Sequence, residues 1–283
     1  MAKTEKSLND SLREYGRGLT GGLLFSLPML YTMELWWAGF LSNPVQLLIY
    51  FLVGIGLLLI YNRFVGIRGN TSFLDRFLES LEEMGLAILL TAFILWITGR
   101  ITVLMSVKEI SGKIIVEAVT VAIGISVGKA QLGRDREGRN KENEENKISM
   151  RHDLIKAIGI SLCGALLIAS NIAPTDEVIV IALESKSYQL LIIAILSIVI
   201  GGLVLYHLNF TGTQNLLVKQ KNHRKALAGT IIMYAISLIS SAFMLWFFGR
   251  FENVSLYGMV AETVVLGFPA ALGASAGRLL IQT

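Results

Sequence analysis

Long apolar runs, each closed by a short polar interval, follow one another along the whole chain. A membrane-crossing helix needs about 20 mostly apolar residues, and eight stretches qualify: 18–40, 45–61, 84–102, 114–132, 154–183, 188–206, 226–248 and 257–281. The pattern predicts an all-α fold, a polytopic membrane helix bundle with eight transmembrane helices. Pro174-Thr175-Asp176-Glu177 interrupts the fifth stretch. Residues 133–153 are polar and mixed in sign, as expected of a solvated linker.

The pattern repeats itself. Ala92-Phe93-Ile94-Leu95-Trp96-Ile97-Thr98-Gly99-Arg100 returns as Ala242-Phe243-Met244-Leu245-Trp246-Phe247-Phe248-Gly249-Arg250. Upstream, in one ungapped register, Gly16, Gly21, Thr32 and Glu34 meet Gly159, Gly164, Thr175 and Glu177, and Gln46-Leu47-Leu48-Ile49 meets Gln189-Leu190-Leu191-Ile192. Downstream, Gly124-x-Ser126-x-Gly128-Lys129 meets Gly273-x-Ser275-x-Gly277-Arg278. Pairing Glu117 with Glu262 as well requires a four-residue insertion near Gly267-Phe268-Pro269-Ala270, where the eighth helix is expected to kink or break. The predicted organisation is a first four-helix membrane repeat over 1–132, a charged linker over 133–153 and a second four-helix repeat over 154–283. Since Glu177 takes the place of Glu34, inside what reads as an uninterrupted first helix, the Pro174 interruption is expected to stay at membrane depth.

Charge orients the bundle. Lys and Arg are retained preferentially on the cytoplasmic side. With the N-terminus there, the other side receives only Arg100, Lys108, Lys113, Lys186 and Arg250. Both termini are then cytoplasmic, and four spans per half make the two repeats parallel, related by an axis along the membrane normal. The first apolar stretch is too long for a signal-peptide core and is expected to remain as a span.

Composition sharpens this. A chain 53% hydrophobic and 16% charged, with mean hydropathy +0.61, could not present an ordinary water-facing surface. Its net charge of +4 comes from connections between spans, not from a basic face interleaved with aromatics, so no nucleic-acid partner is expected. The lone Cys163 reads as a small packing residue. His152, His207 and His223 show no ligand spacing, and no metal or cofactor is expected.

Four carboxylates fall within or at the ends of spans: Glu34 and Glu177 on the first helix of each half, Glu117 and Glu262 on the fourth. At 1.5 Å per residue all four lie in the outer half of the bilayer. An ionisable group there is costly unless paired or wet, and so marks a functional candidate. One reading is a shared acidic site between the halves that binds a cation or passes protons. The other is structural pairing with Arg100 and Arg250, which end the third helix of each half on the same side. Gly128, Gly277, Ser126 and Ser275 read as helix-packing residues, with the two serines available to bond across the axis; a nucleophile elbow would need a strand-turn-helix context. Trp36, Trp37, Trp96 and Trp246 read as an interfacial belt. Residues 75–83 read as the solvated start of the third span, or as a short surface helix.

The run Gly-Leu-Leu-x-Ser-x-Pro-Met-x-Tyr-Thr-Met-Glu-x-Trp-Trp at 22–37, the Asn171-x-Ala173-Pro174-Thr175-x-Glu177 run and the duplicated Trp-x-x-Gly-Arg resemble an uncharacterised family of bacterial integral membrane proteins. The resemblance covers essentially the whole chain. It implies a prokaryotic cytoplasmic membrane and no catalytic residues. The expected function is a small cation- or proton-conducting transporter or channel, its partners the lipid bilayer and a cation or protons; a homo-oligomer is compatible with the sequence. The competing class is a non-transporting scaffold or sensor acting through the basic linker. An enzyme is not expected, because no Ser, Cys or His stands in a span beside a partner.

Overall fold

A computed structural model describes residues 8–30, 32–64, 72–132, 150–207 and 223–281. All regular structure there is helical: α1 Leu8–Leu30, α2 Met33–Leu41, α3 Pro44–Phe64, α4 Phe73–Ile97, α5 Val107–Leu132, α6 Met150–Ile172, α7 Glu177–Glu184, α8 Ser187–His207, α9 His223–Phe247 and α10 Leu256–Ile281. Six helices are long and apolar enough to cross a membrane, or seven if the bent pair α6 and α7 is one span. The linker residues 133–149 lie outside the described residues, and the helix after them begins at Met150, three residues before the expected linker end.

Local chemistry explains the boundaries. Asn43 caps α3: its Oδ1 accepts from the Val45 N–H at 3.0 Å, while Gln46 Oε1 accepts from the Asn43 N–H at 3.1 Å. Gln189 reaches back in the same way to the Lys186 N–H, at 2.7 Å. The matched glutamines therefore satisfy amide groups that the first turn of a helix leaves open. Ser72 and Asp75 form a reciprocal capping box on α4, so residues 75–83 are the start of that long helix and not a separate surface helix.

The duplicated Trp-x-x-Gly-Arg phrase is a helix stop. Gly99 and Gly249 take φ of +70° and +71°, a region that costs glycine nothing. The Arg100 N–H then bonds the Leu95 carbonyl at 2.7 Å and the Gly99 N–H that of Trp96 at 3.0 Å; Arg250 and Gly249 bond Leu245 and Trp246 at 2.9 and 3.1 Å. This is the two-bond termination that a left-handed glycine permits.

Two expectations are corrected. The first apolar stretch is not one helix: α1 ends at Leu30, Thr32 is extended, and α2 starts at Met33. Its counterpart, α7, departs from α6 at 90°. The eighth span is not broken, for α10 runs through Pro269 and has the same 26 residues as α5.

Each half is built around its last helix. α5 packs against α1, α2, α3 and α4, and α10 against α6, α7, α8 and α9. Glycines permit the closest crossings: Gly21 of α1 meets Gly124 and Gly128 of α5, and Gly164 of α6 meets Gly273 of α10. α6 joins the halves by lying against α3 and α5. Tyr50 of α3 reinforces that joint, stacked on Phe247 of α9 with ring centroids 4.2 Å apart.

Candidate functional site

α5 carries buried polar groups along its length on two faces, Lys113, Glu117 and Thr120 on one and Ser126 and Lys129 on the opposite one, each less than a tenth exposed. Beginning at the end near the α4–α5 connection, Lys113 Nζ donates to the Arg100 carbonyl at 3.2 Å and to Glu109 Oε1 at 3.1 Å. Gly39 of α2 lies against the Lys113 backbone, which closes this end of the helix to anything larger.

One turn further, Glu117 is 1% exposed, and neither carboxylate oxygen has a hydrogen-bond partner. A buried carboxyl without a partner is costly. Next, Thr120 meets the Tyr50 hydroxyl at 3.3 Å and donates to Ser170 Oγ of α6 at 3.3 Å. An apolar layer follows, in which Val119 packs on Gly54 and Leu57, Leu58 and Ile123 are buried.

The far end holds a network that the sequence reading did not single out. Glu83 of α4 and Lys129 of α5 pair at 3.4 Å, their side chains 1% and 5% exposed. Asn62 of α3 donates to Glu83 Oε2 at 2.8 Å and to Ser80 Oγ at 3.1 Å, and its Oδ1 accepts from Ser126 Oγ at 2.7 Å. The Lys129 ammonium lies over the Tyr15 ring at 5.8 Å, and the Tyr15 hydroxyl donates to Glu82 at 2.6 Å. A signal was present: Ser80, Glu83, Ala87, Thr91 and Leu95 share one helical face, and all are buried. Glu79 and Glu82 fall off that face.

The other expected residues are dispersed. Glu262 is 2% exposed, and its Oε2 lacks a hydrogen-bond partner. It belongs to α10, which packs within the second half, whereas Glu117 is enclosed in the first. Counted from their first residues, Lys113 of α5 and Glu262 of α10 hold the same place in the two helices. Glu34 and Glu177 stand in the first turns of α2 and α7, half-buried and exposed, where a carboxylate complements the helix dipole.

Arg100 stacks on Trp36, its guanidinium 4.1 Å from the ring centroid. Arg250 donates to Asp176 at 2.9 Å, an acid absent from the candidate set. Ser126 bonds Asn62 in its own half and Ser275 bonds the Ala271 carbonyl of its own helix, so neither hydroxyl reaches across the molecule. Gly128 is a packing glycine against α1; Gly277 lies near the end of α10, where side-chain surroundings fall outside the described residues. No cluster of His, Cys, Asp and Glu that could hold a metal occurs among the described residues.

Membrane-length apolar helices with charged groups enclosed between them define a multi-pass integral membrane protein. Over residues 14–281 the chain matches the family described as "Putative integral membrane protein (DUF2391)", and it belongs to that family. No curated protein and no solved structure matches it.

Proposed function

We propose that the protein moves protons or a small cation across a prokaryotic cytoplasmic membrane, along the polar groups of α5. The carrying observation is Glu117: a fully enclosed carboxyl without a hydrogen-bond partner, on the helix around which the first half is assembled. A group kept at such cost inside a span marks an ion or proton route. Thr120, Tyr50 and Ser170 continue the route, and Ser126, Asn62, Glu83 and Lys129 complete it beyond the apolar layer. The route lies inside one half and replaces the shared site between halves expected from sequence.

The architecture belonging to this reading is a parallel duplication with eight crossings. Helix lengths support it: 23, 9, 21, 25 and 26 residues from α1 to α5, then 23, 8, 21, 25 and 26 from α6 to α10. The paired caps, stops and glycine crossings point the same way. At about 1.5 Å per residue the apolar parts of α1 and α6, 18–30 and 157–172, reach only about 20 and 24 Å of a core about 30 Å thick. In this reading α2 and α7 complete the first crossing of each half as the second arm of a bent pair, and both termini and the linker face the cytoplasm, where most Lys and Arg fall.

The test is reconstitution in liposomes under separate proton, sodium and potassium gradients. Flux of one of these in the wild-type protein, lost in a folded Glu117→Gln variant, is the expected result. No flux in any gradient rejects transport and favours the scaffold or sensor class.

A further inference from the structure

The second half does without the acid of the Glu83–Lys129 pair. Counted from the helix starts, the second half has Leu205 where the first has Asn62, and Met233 where the first has Glu83. Met233 is 1% exposed and packs its methyl group against Gly201. Ser275, at the place of Ser126, bonds back to its own helix. The same arrangement of helices is thus built there with apolar groups in place of the acid and the amide. A buried ion pair is seldom more stabilising than well-packed apolar residues of similar volume, so packing alone does not account for this one.

Its position suggests a different role. The pair ties α4 to α5, and Asn62 adds α3 through one hydrogen bond to the acid and another from Ser126. Tyr15 covers the ammonium from α1. Four helices therefore meet on one ion pair, at the end of α5 opposite Lys113. Glu82, bonded to Tyr15, and Glu79, on the adjoining turn of α4, are the other acids beside it. Ser126, 2% exposed, lies one turn further in along α5, on the near side of the apolar layer.

We propose that Glu83 and Lys129 form a charge gate: joined, they seal this end of the bundle, and parted, they admit water as far as Ser126. The inference deepens the permeation reading, and it has a readout of its own. In the full chain with Cys163→Ala, a Ser126→Cys thiol is treated in detergent with a water-soluble maleimide. It is expected to stay protected while the pair is intact and to react at least tenfold faster with Lys129→Met or Glu83→Gln. The exchange Glu83→Lys with Lys129→Glu should restore protection.

Unchanged protection in folded single variants overturns the gate, as does rapid labelling with the pair intact. If the neutral variants do not fold, Glu83→Asp decides the matter by keeping both charges and shortening the acid: faster labelling supports the gate, and unchanged labelling overturns it. Absence of flux from the wild-type protein would reject the transport reading and leave the labelling result to decide the gate alone.

Discussion

Gly39 of α2 and Gly112 of α5 cross so closely that a β-carbon on Gly112 would fall on the Gly39 carbonyl oxygen. Neither backbone can yield without moving its helix, so even a methyl group must displace α2. Overpacking of this kind costs about 1–3 kcal/mol and sometimes more. Gly112→Ala is expected to lower the unfolding free energy by about 3 kcal/mol, measured by denaturant titration in micelles. Gly85 provides the contrast: nothing lies within 4 Å of an added β-carbon, and Gly85→Ala should stabilise α4 by about 0.5–1 kcal/mol.

The two ion pairs should differ sharply. Asp176 is 76% exposed in its pair with Arg250, and Asp176→Asn is expected to cost no more than about 1 kcal/mol. Lys129→Met leaves Glu83 buried without its cation and should cost about 3–5 kcal/mol. A thermal series in one detergent checks both. Equal losses would contradict the enclosure described for Glu83.

The cap of α4 offers a local test. Ser72→Ala removes the acceptor for the Asp75 N–H, with an expected loss of about 1 kcal/mol. Hydrogen exchange should quicken in the first turn of α4 and remain unchanged around Thr91.

The proposed eight crossings fix a sidedness that can be measured. Val103 and Leu104 are 99% and 98% exposed in the α4–α5 connection. Cysteines placed there should react with an impermeant reagent outside the cell, whereas cysteines in the 133–149 linker should react only after lysis. Labelling of both segments from one side would reject the topology.

Much of the fold was legible in the sequence because bilayer thickness sets helix length and hydropathy reports it directly. The repeated Gln, Gly and Trp-x-x-Gly-Arg positions were legible too, since each performs a local task of capping, crossing or stopping a helix. The break after Leu30 was hidden because an apolar run reads alike whether it continues or turns. Glu117 was visible as a charge within an apolar run. Glu83 escaped notice because it stands beside Glu82 in an acidic stretch, and only the helical face separates the buried acid from the exposed one. Lys129 looked like a boundary cation; its partner lies on another helix, a contact that sequence spacing does not encode.

The most direct measurement compares Glu117→Gln with Glu262→Gln in liposomes, both purified and folded, under whichever gradient drives wild-type flux. The α5 route predicts that Glu117→Gln abolishes flux and Glu262→Gln retains most of it. Equal loss from both, or full retention in Glu117→Gln, would contradict a route confined to the first half.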